Sequence, residues 1–586
     1  MGSRRAALAP FRHAWPHLWR HRRGLLVGAA CLLPSVALDL LIPWIWKQGL
    51  DGAIERTATT RRLLAIGAGG VLLGLLSGLL KYAMRRALVG ASRDFERDLR
   101  LALHRKLIDL PARWFAGTTV GDLTSRLSQD VEAVRMALGP GSMYVLSAVV
   151  TVVASFAAMV AVDPWLTLWM ATPLLLLGGA ALWIAPRLGK ASDAVQEAIG
   201  AISSASSESF AGVRVLKAFC GEERQLSRME QLSRRYFDAQ LALARARGGM
   251  MALLFLVKDA SLFVILLVGG LSIGAGHATV GDLILFRDWL LSCFWPLVTF
   301  GWIVSMVQRA AAGMRRIGGV LEAEPLALPA APRALPATGP LALEWSHVTV
   351  EQQGRRLLDD VSLAVPAGGS LGITGRTGAG KSLLLQLVPR LFDPDGGAVR
   401  VGAIDVRELD LDALRRRIAN VPQEAFLFAE TLRDNLAFGN PAAADGALDA
   451  AIRHAGLESE VARFPDGLAT RLGERGVTLS GGQRQRATLA RALLYGGALL
   501  LIDDGFSAVD AETEARILAS LRAASAGATT VVVSHRVAAL QALDRVAVIE
   551  EGRLVEHGPP AELLAHGGAW ARLVRDQQLI EELEAL

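Results

Sequence analysis

Cysteine is scarce in this chain of 586 residues, and its spacing argues against both a disulfide-stabilised and a zinc-stabilised protein. Cys31, Cys220 and Cys293 are the three copies, and none belongs to a C-x-x-C pair. A disulfide framework or a structural zinc site needs clustered cysteines at regular spacing. Neither is therefore supported, and we expect the three cysteines to be packing residues.

No RNA- or DNA-binding motif accompanies the basic character of the chain. Lys and Arg number 62 against 56 Asp and Glu, and a nucleic-acid-binding protein is expected to combine such an excess with a recognisable motif. Basic residues in the cytoplasmic loops of a membrane protein explain the same balance. We therefore expect no nucleic-acid partner.

Long hydrophobic runs are plentiful, and they concentrate in the first half of the chain. Hydrophobic residues make up 52% of the sequence. A bilayer core of about 30 Å is crossed by about 20 apolar residues in a helix. Six stretches meet this requirement, which predicts an all-α transmembrane domain in contact with membrane lipids. The predicted spans are 24–46, 63–83, 141–162, 165–185, 249–273 and 280–306.

The flanks of these runs predict their orientation. Six arginines precede the first span, which places the N-terminus in the cytoplasm. No A-x-A cleavage pattern follows, so the first span is expected to stay as an anchor. Residues 9–20 mix aromatic and basic side chains as an interfacial helix does. The gaps 84–140 and 186–248 are rich in Arg and Glu, which predicts helical extensions in the cytoplasm. The chain is thus expected to be a multi-pass protein of the cytoplasmic membrane with both termini inside.

Several ionisable residues fall inside the predicted spans, where a charge normally faces a cavity or a partner. Asp39 and Arg287 each lie about eight residues from the outer end of their helix, so the 1.5 Å rise per residue places them at similar depth. An ion pair between them or a polar pathway would explain both. Helices that extend beyond the bilayer, with these residues in water, remain an equal alternative. The other candidates are Lys258, Asp259 and Asp288.

A proline-rich stretch separates the two halves of the chain. Five prolines without periodic spacing lie between residues 322 and 341, which is typical of an extended linker. Short apolar runs then alternate with helical patterns, which indicates an α/β domain. The predicted organisation is a transmembrane domain over 1–320, a linker over 321–341 and an α/β P-loop NTPase domain over 342–586.

The first apolar run of the second half leads into GRTGAGKS, a complete phosphate-binding loop. Its glycines allow backbone N–H groups to surround phosphates, Lys381 can reach the β and γ phosphates, and Ser382 can ligate Mg²⁺. Asp503 directly follows the apolar run 499–502. Its carboxylate is expected to be the second protein group, after Ser382, on the Mg²⁺ side of the nucleotide. ATP and Mg²⁺ are the expected cofactors. The predicted nucleotide-binding residues are Gly375, Arg376, Thr377, Gly378, Ala379, Gly380, Lys381, Ser382 and Leu383.

A second anion-binding motif, LSGGQ, lies between these two sites and precedes an amphipathic helical pattern. Unpaired N–H groups and the helix dipole make such a helix start attractive to phosphate. Its predicted nucleotide-binding residues are Ser480, Gly481, Gly482 and Gln483.

Together these motifs resemble the ATP-binding cassette family, and the whole chain resembles a half-size exporter of that family. The resemblance implies two cassettes that close head to tail, with LSGGQ of one chain completing the ATP site of the other. It implies that Gln423 senses Mg²⁺ and the attacking water, that His535 senses the γ-phosphate, and that Asp510 in the segment 507–510 reaches the partner cassette. Glu474 resembles a residue of the loop that meets the intracellular helices.

Segments of the first half also resemble those of exporters. Trp114–Val131 and Ser209–Phe219 resemble the segments that carry short coupling helices, and Thr279–Phe286 resembles the start of the sixth span. Importers usually have their permease on a separate chain, so an exporter is favoured. Without the cassette, the two coupling segments would be interpreted as ordinary solvated hairpins.

Two positions depart from the family pattern. Gln352 or a neighbour stands where an aromatic side chain usually stacks on adenine, which removes a contact of about 0.5–1.5 kcal/mol. The expected catalytic residues are Asp504, Gln423 and His535, and Asp504, at the position of the general base, stands where catalytic cassettes have glutamate.

With Asp504 at this position, the sequence DDGFSAVD resembles that of the degenerate-site subunit of heterodimeric bacterial exporters. A homologous but different half-transporter is the expected partner, and a homodimeric exporter or lipid flippase remains the alternative. A membrane-anchored nucleotide sensor is a further alternative of a different class. The expected cargo is an amphipathic small molecule, lipid or peptide.

Overall fold

The computed structural model describes residues 9–352, 354–473, 476, 478–505, 517 and 527–584. The chain divides into two compact units. The first consists of Met1–Ile108 and Thr119–Ala323, and the second of Asp109–Thr118 and Glu324–Leu586. The short segment Asp109–Thr118 is therefore surrounded by residues of the second half of the chain, although long helices of the first half flank it in sequence.

Long helices form the first unit. In an apolar environment a helix is favoured because it satisfies its own backbone N–H and C=O groups. A 3-10 turn over Ala9–His13 precedes them. The helices are α1 Trp15–Arg20, α2 Arg22–Ile54, α3 Thr60–Asp109, α5 Val120–Val162, α6 Pro164–Ala211, α7 Val213–Ala218, α8 Glu222–Gly274 and α9 Val280–Leu321, with α4 Ala112–Phe115 in the second unit. Helix α5 contains π-helical turns at Arg126–Asp130 and Ala137–Gly141.

Four helices are long and apolar enough to cross a membrane by length and composition of their described residues. These are α2, α3, α5 and α8, which contain the predicted spans 24–46, 63–83, 141–162 and 249–273. The other two predicted spans lie within α6 and α9, whose side chains are described only in part. As crossings, those two stay predictions.

A capping residue defines the start of α6 in the first unit. Asp163 is extended, and its side chain accepts hydrogen bonds from the N–H groups of Trp165 and Leu166, so α5 and α6 are separated by this one residue. Pro164 at the first position of α6 needs no hydrogen-bond partner for its nitrogen. Such a tight turn agrees with the predicted hairpin between the third and fourth spans.

The predicted pair between Asp39 and Arg287 is wrong. Asp39 on α2 instead accepts hydrogen bonds from Ser77 at 2.6 Å and Lys81 at 2.9 Å, both on α3. Arg287 pairs with its own neighbour Asp288 at 3.1 Å. Equal depth in two helices does not decide which faces meet, because contact also requires the side chains to point toward each other around the helix axes.

Two sheets form the frame of the second unit. An antiparallel sheet has the order β2-β1-β4-β5, and a mostly parallel sheet has the order β10-β9-β3-β8-β7-β6. The strands are β1 Leu343–Gln352, β2 Arg355–Val365, β3 Ser370–Thr374, β4 Gly396–Val401, β5 Ile404–Asp405, β6 Ile418–Val421, β7 Leu499–Asp503, β8 Thr529–Val533, β9 Arg545–Glu550 and β10 Arg553–Gly558.

The second unit also contains short helices in the part of the chain that the structure describes. They are α10 Lys381–Leu387, α11 Leu411–Arg416, α12 Leu432–Leu436, α13 Asp445–His454, α14 Glu458–Val461, α15 Gly481–Tyr495, α16 Val537–Gln541, α17 Pro560–His566 and α18 Ala569–Glu584. Strands β3, β7 and β8 are almost wholly buried, which explains their continuous Val, Ile and Leu runs. The carboxyl ends of these parallel strands meet at one edge, where ligands bind in open α/β sheets.

The proline-rich linker is extended and fastened to the second unit by arginines. Arg390 is almost completely buried and donates to the carbonyl of Ala327 at 2.6 Å. Arg417 donates to the carbonyls of Ala337 and Gly339. These bonds satisfy backbone acceptors that proline-rich chain cannot satisfy by regular pairing.

Candidate functional site

The loop between β3 and α10 has a backbone that requires glycine. Gly375, Gly378 and Gly380 have φ values of +143°, +83° and +93°, a region that other residues rarely adopt. A Cβ on Gly375 would lie 2.0 Å from the carbonyl oxygen of Ile549, and one on Gly380 would lie 2.8 Å from that of Leu357. These φ values and close approaches fix the curvature of the loop directly before α10.

A cavity of about 240 Å³ lies inside this curve. It collects residues from the loop, from the end of β7 and from the segment after β8, all at the carboxyl edge of the parallel sheet. Its lining contains most of the residues predicted from the sequence. They are Thr377, Gly378, Ala379, Gly380, Lys381, Ser382, Leu383, Gln423, Asp503, Asp504 and His535, together with Leu357 and Val533.

Ser382 and Asp503 form an oxygen-rich corner of the cavity. The Ser382 hydroxyl donates to the Asp503 carboxylate at 3.0 Å. A hydroxyl and a carboxylate are the oxygen ligands that Mg²⁺ takes beside phosphate groups, so this donor set fits that ion. Lys381 points back into the loop and donates to the carbonyls of Gly375 at 2.8 Å and Arg376 at 2.9 Å. Its ammonium is thereby held beside the phosphate-sized space.

Burial perturbs every titratable group in this cavity. Removal from water raises the pKa of Asp503 and of Asp504, and the nearby positive charge of Lys381 opposes both shifts. Burial likewise lowers the pKa of Lys381 and of His535. Burial therefore disfavours the charged forms of two acids and two bases in one cavity, and perturbed pKa values of this kind are common at functional sites.

Asp504 adopts an unusual backbone conformation. Its φ of +46° lies in the left-handed region, which short polar residues tolerate better than longer ones. Its N–H donates to the carbonyl of Val533 at 2.9 Å, so the turn after β7 is fixed to β8. The backbone of this turn therefore fixes where the Asp504 side chain lies in the cavity wall.

Gln423 is shared by this cavity and a neighbouring one of about 320 Å³. The second cavity is lined by Leu391, among others, and by Asp503. Leu391 also accepts a hydrogen bond from the N–H of Ala112 at 3.0 Å. The short helix α4 is thus docked at the rim of the second cavity.

An arginine within α4 adds to this docking. Arg113 pairs with Asp395 at 3.3 Å and donates to the carbonyl of Glu351. The predicted coupling segment Trp114–Val131 therefore begins within α4, a helix that belongs to the second unit.

The LSGGQ motif forms the start of α15 and does not line either cavity. Ser480 caps the helix: its hydroxyl accepts from the N–H of Gln483 at 3.3 Å, and the Gln483 side chain accepts from the N–H of Ser480 at 2.9 Å. Gly481 and Gly482 occupy the first turn. The four predicted residues thus present a capped helix start away from the phosphate-binding loop of their own chain.

Two predicted residues, Glu474 and Asp510, lie outside the described part of the chain. Two residues that the sequence prediction missed, Leu357 and Val533, line the cavity. Leu357 lies on β2, close in sequence to Gln352 at the end of β1. The approach of its carbonyl to Gly380 depends on how the antiparallel sheet folds over the loop, for which the sequence gives no local signal.

Two family profiles match the chain. The ABC transporter transmembrane region matches residues 25–297, and the ABC transporter domain matches residues 358–507. The second match contains the phosphate-binding loop, LSGGQ and Asp504.

Curated relatives match along most of the chain. The multidrug resistance-like ATP-binding protein MdlA of Escherichia coli is 31% identical, with 98% of this chain and 96% of MdlA covered. An ATP-dependent lipid A-core flippase of Pseudomonas fluorescens is 32% identical over 86% of this chain and 84% of its own length. A multidrug efflux ATP-binding/permease protein of Mycobacterium bovis is 35% identical over 96% of this chain, which spans about half (46%) of that relative.

A solved structure has the same architecture. A bacterial Atm1-family ABC exporter with ATP bound superposes with a TM-score of 0.76 at 25% identity, covering 95% of this chain and 98% of that one.

Proposed function

The chain belongs to the ATP-binding cassette transporter family as an exporter half-transporter, and on that premise we propose that it couples ATP hydrolysis to export across the cytoplasmic membrane. The observation that carries this proposal is the cavity in which Lys381, the Ser382–Asp503 pair and His535 meet at the end of the parallel sheet. Such a constellation binds the phosphates of ATP and stabilises negative charge during phosphoryl transfer.

The proposed roles follow from positions in the cavity. Backbone N–H groups of the loop and the Lys381 ammonium would hold the phosphates, and Ser382 and Asp503 would hold Mg²⁺, which neutralises phosphate charge when bound. His535, whose pKa burial lowers, would be a neutral imidazole at pH 7 and could exchange hydrogen bonds with the γ-phosphate. Gln423, between the two cavities, would connect the state of the nucleotide to the rim where α4 docks.

Export is tested by transport into sealed inside-out vesicles from cells that overproduce the chain together with the half-transporter that co-purifies with it. We expect ATP-dependent accumulation of at least one class in a panel of amphipathic dyes, lipids and peptides. The matched control is Lys381→Met, which should remove accumulation because the phosphates lose their main cation. ATP binding by the unmodified chain without transport of any class would favour the nucleotide-sensing function instead.

We further propose that the partner is a different, homologous half-transporter. Asp504 is one methylene shorter than glutamate, and a displacement of about 1 Å at a reacting group can cost on the order of a hundredfold in rate. In a homodimer both sites would carry this defect. In a heterodimer the capped motif at Ser480–Gln483 would complete the partner's site, whose own glutamate could act there.

The partner is identified by purifying the tagged chain from its native membrane and determining the mass and sequence of what co-purifies. A stoichiometric half-transporter with glutamate at the position of Asp504 is the expected result. Co-purification of a second, differently tagged copy of this chain and no other transporter would instead establish the homodimer.

A further inference from the structure

The N-terminal segment has two different faces. Its inner side is fixed to the bundle: Ala14 is buried, and His21 pairs with Asp98 of α3 at 3.0 Å. On the outer side Trp15 and Trp19 are 58% and 52% exposed, and their rings stack with centroids 5.5 Å apart. Large exposed aromatic rings at successive turns are unusual on a water-facing helix, and tryptophan is enriched at membrane interfaces.

Exposed arginines lie on both sides of these tryptophans in the sequence. Arg12 is 67% exposed, and the guanidinium of Arg22 lies 6.0 Å above the Trp19 ring. Arg20 and Arg23 are also exposed. No acidic residue occurs between Ala9 and Gly24 in the sequence. The outer face is therefore both aromatic and of one charge, directly before the membrane-spanning helix α2.

Besides Asp94 and Asp98 of α3, which face His21, a further acidic residue from elsewhere in the fold contacts this segment. Glu322, at the end of α9, accepts from Arg12 at 2.6 Å and lies 2.6 Å from the ring nitrogen of His13. The hydrogen bond from Arg12, followed by that from His13, lowers the pKa of the Glu322 carboxyl. Glu322 lies at the start of the linker, so this contact connects the N-terminal segment to the place where the chain leaves the first unit.

We propose that Trp15, Trp19 and the four arginines form a docking surface for anionic phospholipids, and that lipid phosphate competes with Glu322 for Arg12. The charge complementarity favours an anionic over a zwitterionic surface, since each Lys or Arg near a negative leaflet raises binding about fivefold. The pair with Glu322 is exposed on both sides, and exposed ion pairs are weak. A phosphate can therefore displace the carboxylate, which releases the end of α9.

The experiment uses the full chain in nanodiscs and brominated lipids, which quench nearby tryptophan fluorescence. One set contains brominated phosphatidylglycerol diluted in unlabelled phosphatidylcholine. The other set contains brominated phosphatidylcholine diluted in unlabelled phosphatidylglycerol. The signal of interest is the difference between the unmodified chain and the variant with Trp15→Phe and Trp19→Phe, because the chain has 13 tryptophans. No ATP is present, so the result does not depend on whether the chain is a pump.

We expect a preference for phosphatidylglycerol of at least about fivefold. Arg12→Gln combined with Arg20→Gln should bring the ratio toward one, whereas Glu322→Gln should raise it because Arg12 is freed. The matched control is Arg62→Gln, an exposed arginine at the start of α3, which should change nothing. Equal quenching by both lipids, or a decrease with Glu322→Gln, would overturn the proposal. Absence of quenching would instead indicate that an acidic protein segment covers this face.

Discussion

At the residue scale, the phosphate-binding loop is the part of the molecule that the sequence predicts best. Its glycines, lysine and serine are adjacent in the chain, so their spacing alone implies the curve seen at Gly375, Gly378 and Gly380. The Ser382–Asp503 contact joins residues more than 100 positions apart, but both motifs have fixed places at the ends of parallel strands. The pair of Asp39 with Lys81 had no such signal, because it depends on helix rotation and packing.

Acidification should weaken the contribution of Mg²⁺ to ATP binding. Burial raises the pKa of Asp503 and Asp504 above the ordinary value of about 3.9. As pH falls through these raised values the carboxyls gain protons, and a protonated Asp503 no longer binds Mg²⁺. Titration calorimetry with and without Mg²⁺ should show the affinity ratio decreasing as the pH is lowered from 7.5 toward the ordinary aspartate value.

The control for this pH dependence is Asp503→Asn, in which ATP itself still titrates but the carboxyl does not. Its affinity ratio should be small and nearly independent of pH. A ratio that stays constant in the unmodified chain down to the ordinary aspartate value would show that neither carboxyl gains a proton in this range.

At the scale of elements, hydrophobic length predicts the existence of helices but not how their ends are fixed. The C-terminal end of α2 meets the start of α9, where Asp51 accepts from the N–H of Gly281 at 2.9 Å and from the Thr279 hydroxyl at 3.0 Å. Lys47, one turn earlier, pairs with Asp282. Asp51 thus caps a helix distant in sequence, a role that no local pattern indicates.

Asp51→Ala should destabilise the first unit by about 1–2 kcal/mol, because the start of α9 loses a charged cap. Asp51→Asn retains an acceptor oxygen without the charge and should give an intermediate loss. Thermal unfolding of the chain in nanodiscs, followed by tryptophan fluorescence, provides the comparison, since most of the tryptophans lie in the first unit. Unchanged unfolding temperatures in Asp51→Ala would mean that the cap contributes nothing to stability.

At the scale of the whole molecule, the sequence predicts two parts joined by a proline-rich segment, and the structure has two compact units with a linker held by Arg390 and Arg417. The inclusion of Asp109–Thr118 in the second unit could not be predicted from composition, because this short segment resembles any solvated turn. The described part of one chain keeps Ser480–Gln483 away from its own cavity, which agrees with the proposed assembly from two cassettes.

The most direct test of this account is the ATPase rate of the purified chain without any partner, compared with Asp504→Glu and Asp504→Asn. If Asp504 makes its site degenerate, the unmodified chain hydrolyses ATP weakly, and Asp504→Glu raises the rate by on the order of tenfold to a hundredfold through recovered positioning of the base. Robust turnover by the unmodified chain alone, lost in Asp504→Asn, would contradict the degenerate-site account.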